Sequence, residues 1–213
     1  MSEPVLKELF ATPLVEARPQ TADALVAALK DVILKRKAEH EGIARSNIHG
    51  WHSDTDMLEW GGEAARALAL EAMQTCGRYT RDLNAAKGQS RYEMGMEMWA
   101  NVSPAGASNQ LHAHPTALWS AVFYVDDGGD EEEGALVLQD PRFPLTRMYA
   151  SDLVFTNAAG EKQLSQHWVR PEPGKLILFP SWLMHAVRPH KGERDRISIA
   201  MNITAMATGP TSS

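Results

Sequence analysis

Residues 91–102 read RYEMGMEMWANV, and the alternation in this stretch decides the class of fold. Tyr92, Met94, Met96, Met98, Ala100 and Val102 fall on one face of an extended chain. Arg91, Glu93, Gly95, Glu97, Trp99 and Asn101 fall on the other. A period of two with one apolar face marks a strand that covers a core on one side only. The methionines there are expected to pack against helices rather than to bind a soft metal. The same period returns near the end of the chain. Ile197, Ile199, Met201 and Ile203 alternate with Arg196, Ser198, Ala200 and Asn202 over a strand expected at Arg196–Thr204.

Between these two strands the chain breaks into short extended pieces. They are expected around Leu111–His114, Leu118–Val125, Ala135–Gln139, Leu153–Thr156, Leu164–Val169, Lys175–Phe179 and His185–Val187. Turn residues such as Gly128-Gly129 and Pro173-Gly174 separate them. Many short strands with such punctuation indicate a sandwich, jelly roll or barrel. Upstream the period is helical. Thr21 or Asp23 caps a helix with Leu25, Val26, Leu29, Val32 and Ile33 on one stripe, ending near Gly42, and a second helix runs from Glu63 to about Asn84. Both are expected to pack on an outer sheet face. The chain reads as one domain, 1–213, with a helical part over about 1–88 and a β core over about 89–207.

Composition narrows the function. The 213 residues are 44% hydrophobic and 23% charged, which is ordinary for a globular protein. No apolar run approaches membrane-spanning length, and the start carries no secretory pattern. A net charge of −6 gives no pull toward nucleic acid or an anionic membrane. One cysteine, Cys76, excludes an internal disulfide and a cysteine-based metal cluster, so a reducing cytoplasm is the expected compartment. Cys76 itself sits among alanines and leucines and reads as a buried structural thiol. The acidic run Asp126, Asp127, Asp130, Glu131, Glu132 and Glu133 lacks the spacing of a calcium loop and reads as a solvated hairpin tip.

Three segments carry chemistry. His112 and His114 in Asn109–Pro115 are two apart, so on a strand both rings share a face and can share a metal. Alone, such a pair is as compatible with ordinary hydrogen-bonded histidines. His185 follows an apolar strand and the turn Pro180-Ser181-Trp182, a position that a core histidine also fills. Arg196 and Ser198 share the polar face of the last strand. Inside a jelly roll or barrel that face lines the lumen, where a guanidinium binds a carboxylate through two parallel hydrogen bonds.

Taken together and in this order, the segments resemble the 2-oxoglutarate- and iron(II)-dependent oxygenases with a double-stranded β-helix (jelly-roll) core. More narrowly, the chain is similar to a bacterial and phage branch of them. The matching residues are Trp99 and Asn101; His112, His114 and Pro115; Phe123 and Tyr124; the run Phe179–His185; and Arg196, Ser198 and Asn202. The resemblance covers residues from about 91 to 204, and the Phe-Pro-Ser-Trp-Leu-x-His run is its most specific part.

The resemblance implies a dioxygenase that hydroxylates its substrate and releases succinate and carbon dioxide. It implies Fe(II) as metal and 2-oxoglutarate as co-substrate. His112 and His185 would be iron ligands. Arg196 would hold the distal carboxylate of 2-oxoglutarate with Ser198 and Tyr124, and Asn101 would line the pocket near the keto-acid end. No catalytic side chain beyond the metal ligands is implied. Most of the superfamily has a carboxylate where this chain has His114, so the third ligand is His114 or a residue that the motifs do not identify.

Two rivals stand beside this reading: a three-histidine cupin-type iron dioxygenase that does not use 2-oxoglutarate, and a non-catalytic module that binds metal or 2-oxoglutarate. The primary substrate, small molecule or protein, is not legible, and a homo-oligomeric state is left open. Trp51, His52 and Trp60 either edge a substrate entrance or serve the structure.

Overall fold

The structure is a computed structural model and describes residues 5–83, 85, 90–129, 133–143 and 152–208. It contains two antiparallel sheets. The larger has six strands: β1 (Val15–Ala17), β9 (Leu176–Pro180), β6 (Trp119–Asp126), β11 (Arg196–Ala207), β4 (Tyr92–Ser103) and β3 (Trp51–His52), in that spatial order. The smaller has five: β2 (Asn47–Ile48), β5 (Ser108–His112), β10 (His185–Val187), β7 (Leu136–Gln139) and β8 (Gln166–Val169). The chain passes back and forth between the sheets, which is the jelly-roll arrangement expected from its many short strands.

The helices are α1 (Ala22–Glu39), α2 (Met57–Trp60) and α3 (Gly62–Arg78). In α1, Leu25, Leu29 and Ile33 recur every four residues and are buried, while Arg36 and Lys37 in the last turn complement the helix dipole. In α3, Ala65, Leu68, Ala72 and Cys76 form the buried stripe. Both stripes pack with Met98, Ala100, Val102, Ile197, Ile199, Met201 and Ile203, the apolar face of β4 and β11. Each such side chain removed from water is worth about 1.5–3 kcal/mol before ordering costs, so this face anchors the sheet. A second cluster, with Tyr124, Leu136, Leu138, Val169, Ile177 and Phe179, lies between the two sheets.

Several expectations need correction. Leu153–Thr156 is not a strand; Thr156 makes only an isolated bridge to Lys162. The second helix ends at Arg78, and Asn84 lies outside the described residues. The first 88 residues are not only helical, because they supply β1, β2 and β3, all too short for a period to show. The acidic run is not uniformly solvated either. Asp126 is buried and salt-bridged to Lys30 and Arg194, and Glu133 pairs with Lys191 at 2.6 Å. Asp130, Glu131 and Glu132 lie outside the described residues. Cys76 is buried as expected, and burial pushes its thiol pKa up.

Candidate active site

The polar faces of β4, β6 and β11 and the inner face of the smaller sheet enclose a cavity of about 470 Å³. The antiparallel register ranks its lining. Arg196 stands opposite Ser103. Ser198 stands opposite Asn101 on one side and Tyr124 on the other. Ala200 stands opposite Trp99 and Val122, and Asn202 opposite Glu97 and Ser120. With about 3.3 Å of rise per residue, Arg196 and Asn202 mark levels about 20 Å apart along one strand. The Arg196 level is closed, with Arg196 only 2% exposed, whereas Glu97 is exposed.

The three histidines meet on the facing wall. β5 ends at His112 and β10 begins at His185, and these two are directly opposed in the β5–β10 pairing. His114 is not on the strand as expected; it lies two residues past its end. There its backbone N–H donates to the Ser181 carbonyl at 2.8 Å, and the Ser181 hydroxyl donates to the Ala117 carbonyl. The turn before His185 therefore pins the loop that carries His114. Ring centroids are 4.3 Å apart for His112–His185, 4.9 Å for His112–His114 and 5.3 Å for His114–His185. One ligand nitrogen from each ring lies within 4.8 Å of the others. An ion bonded to all three at about 2.0–2.2 Å holds such nitrogens about 3–3.8 Å apart, so ring movement of about an ångström closes the set.

Hydrogen bonding prepares the rings as ligands. His112 Nδ1 sits 2.7 Å from the Gln110 carbonyl, and His185 Nδ1 sits 2.8 Å from the Leu183 carbonyl. A carbonyl only accepts, so each Nδ1 carries the proton and each Nε2 presents a lone pair. Burial, then the neighbouring His112, pulls His114 down to about 4 and His185 down to about 3. Both are therefore neutral at pH 7, the state that binds a metal.

At the closed end the polar atoms are only partly satisfied. Arg196 donates from Nη1 to the Gly134 carbonyl at 2.8 Å and from Nη2 to Ser103 Oγ at 3.3 Å. Its Nε and the Tyr124 hydroxyl are buried with no partner, and no carboxylate among the described residues pairs with Arg196. Gly134 has φ +70°, and a Cβ there would meet the His190 ring at 3.3 Å and Arg196 Cδ at 3.4 Å. Glycine thus lets this carbonyl reach the guanidinium. Burial drives the Tyr124 hydroxyl up to about 12 and lowers Arg196 from its ordinary value. A buried cation without a counter-charge is costly, and an entering carboxylate would remove that cost. The residues present therefore fit a dicarboxylate at one end and a metal ion at the other.

All seven residues read from the sequence line this one cavity: Asn101, His112, His114, Tyr124, His185, Arg196 and Ser198. Of the three entrance candidates, His52 lines it too, stacked on Trp99 at 5.5 Å. Trp51 and Trp60 do not. Trp51 Nε1 donates to the His40 carbonyl, and Trp60 Nε1 donates to Asp54 and Asp56. Sequence reasoning missed Arg45, Ser46, Thr55, Glu97 and Asn109 as lining residues. Glu97 was within reach of it, since it shares the parity of Trp99 and Asn101. Arg45 and Ser46 sit before a two-residue strand and carry no pattern.

The family described as "Putative 2OG-Fe(II) oxygenase" matches residues 97–202, the segment that carries the three histidines and Arg196. The chain belongs to this family. It is a 2OG-Fe(II) oxygenase, an enzyme that uses Fe(II) and 2-oxoglutarate, and the two rival readings are set aside. No curated protein matches the oxygenase by sequence. Solved structures share its fold. A prolyl-4-hydroxylase from Pseudomonas putida superposes with a TM-score of 0.60 at 20% identity, covering 91% of this chain and 92% of that one. HygX from Streptomyces hygroscopicus, solved with nickel, 2-oxoglutarate and hygromycin B bound, gives 0.59 at 15% identity, with 94% and 84% covered. The epimerase SnoN of nogalamycin biosynthesis gives 0.61 at 12% identity, with 95% and 84% covered. Among the described residues, no helix of the oxygenase is long and apolar enough to cross a membrane.

Proposed function

We propose that His112, His114 and His185 hold the iron, and that Arg196, assisted by Ser198 and Tyr124, anchors the distal carboxylate of 2-oxoglutarate. Asn101 lines the pocket toward the keto-acid end. The reaction is hydroxylation of a substrate C–H bond: one oxygen atom of O2 enters the product, the other enters succinate, and carbon dioxide leaves. Bound iron and 2-oxoglutarate together supply the activation of O2. The chain's residues bind and orient: the imidazoles present Nε2, the guanidinium sets the direction of the keto acid, and the closed end excludes water. We also assign the chain to one domain and to the cytoplasm, in keeping with its lone reduced Cys76.

One observation carries this reading: three converging imidazoles share a cavity with a buried guanidinium that has no counter-ion among the described residues. An all-histidine set leaves the iron with its full charge of two, where a carboxylate would have neutralised half. Chelating 2-oxoglutarate then offsets more charge, so metal and co-substrate should bind with positive coupling, each raising the affinity of the other by the same factor. Anaerobic titration with Fe(II) and 2-oxoglutarate tests this through the weak visible charge-transfer band of the chelate. The band should appear only with both present and be lost in His114→Ala. A His114→Ala variant with undiminished iron affinity would remove His114 from the ligand set.

A further inference from the structure

The anchor and the triad leave part of the cavity unused. Two charged side chains line that part, Arg45 and Glu97, and they are of opposite sign. Both are exposed to solvent. Among the described residues neither has an ion-pair or hydrogen-bond partner for its side chain. Arg45 lines the cavity together with Ser46 and His52. Glu97 occupies the outermost of the cavity-lining levels of the β4–β11 ladder, opposite Asn202, and Thr55, whose carbonyl accepts from Met98 N–H, lines the cavity as well.

Between the two charges runs an aromatic wall. Trp99 is stacked on His52 with an interplanar angle of 11° and meets His114 edge-on at 5.9 Å. Trp99 is the residue between Glu97 and Asn101 on the same face of β4, so the wall leads directly to the proposed metal position. Polar groups complete the Arg45 side. Asn109 Nδ2 donates to Ser46 Oγ at 3.2 Å, and Gln110 N–H donates to the Ser46 carbonyl. The segment that carries Arg45 is thereby bound to β5, the strand of His112.

A guanidinium and a carboxylate held on separate walls, unpaired, with a short aromatic surface between them, match a ligand with the reversed charges at its two ends. We infer that the primary substrate is a free amino acid, its carboxylate held by Arg45 and its ammonium group by Glu97, with the side chain carried along Trp99 toward the metal. This rests on the proposed function, and it adds the substrate class. The pocket suits a molecule carrying both charges better than a neutral peptide segment, which would leave Arg45 and Glu97 without counter-charges.

The test uses the full-length protein loaded with Zn(II), which cannot turn over, and with 2-oxoglutarate. Each of the twenty L-amino acids is titrated calorimetrically, alongside its N-acetyl and carboxamide derivatives. At least one free amino acid should bind, and both derivatives of it should bind about tenfold more weakly or worse, as expected for loss of one charged hydrogen-bonding group. Arg45→Ala should weaken the free amino acid about tenfold but leave its carboxamide unchanged. Glu97→Gln should do the same with the N-acetyl derivative as the indifferent ligand. In the Fe(II) enzyme under air, the same amino acid should stimulate succinate formation. If 2-oxoglutarate binds but no free amino acid does, or if the derivatives bind as well as the parent, the substrate assignment is overturned and the proposed function stands. If 2-oxoglutarate itself does not bind, the proposed function fails first.

Discussion

The two faces of β11 are equally buried and chemically opposite. Ile199 is 0% exposed, yet Ser198 is only 4% and Arg196 only 2%. What separates the faces is satisfaction rather than depth. On the helix side the side chains are apolar and pack against apolar neighbours. On the cavity side, Arg196 Nε and the Tyr124 hydroxyl have nothing to bond. Burial alone would class both faces as core. A buried polar atom left waiting for a partner is what marks the second as a binding surface.

The comparison breaks most forcefully if a shift of three residues in the site of mutation does not change the kind of damage. Ile199→Asp buries a lone carboxylate among the helices, at a cost of about 4 kcal/mol or more. Little folded protein should remain, as read by circular dichroism and thermal melting. Arg196→Ala, three residues away on the other face, should fold. It should bind 2-oxoglutarate about thirtyfold more weakly or worse, the loss of about 2–5 kcal/mol typical for one member of a desolvated charge pair. Calorimetry measures this, and unchanged affinity would detach Arg196 from the co-substrate.

Smaller effects sharpen the contrast. Tyr124→Phe removes a hydroxyl that the free protein does not use, so the melting temperature should hold or rise slightly. Its 2-oxoglutarate affinity should fall about two- to tenfold, as for one ordinary hydrogen bond of about 0.5–1.5 kcal/mol. The smallest effect concerns pH. In the folded metal-free protein, His114 and His185 stay neutral down to about 4 and about 3, while in the unfolded chain they charge below the ordinary value of 6.5. The unfolded state thus binds more protons between those values, and stability should decline as pH falls from about 6.5 toward 4. Melting temperatures across that range check it, and a His114→Ala/His185→Ala double variant should show a shallower decline.

The long strands were legible because alternation over many residues leaves little choice of register. Residues 91–102 and 196–204 lie within 92–103 and 196–207 apart from Arg91, and their polar parity faces the cavity as read. The convergence of the three histidines was legible through motif order, though the geometric argument for His114 was not the one that holds. Its ring reaches the others from a loop pinned by Ser181, not from a shared strand face. Unreadable were pieces whose structure depends on distant partners. The two-residue strands β2 and β3 exist because β5 and β4 present free edges to them. Asp126 looked solvated by composition, and is buried because Lys30 and Arg194, far away in sequence, come to meet it.

The pairing of β1 with β9 has a consequence for how this protein is made. Val15 lies against Leu178 and Ala17 against Leu176, so one edge of the six-stranded sheet is closed by a segment synthesised well before its partner. On the ribosome that segment must wait until its partner emerges, about 160 residues later. Without that segment β9 would offer a bare row of amide and carbonyl groups, the template that strands of other molecules join. Removing residues up to 17 should therefore reduce the soluble yield on expression through edge-to-edge association, even though none of the described ones among them borders the cavity.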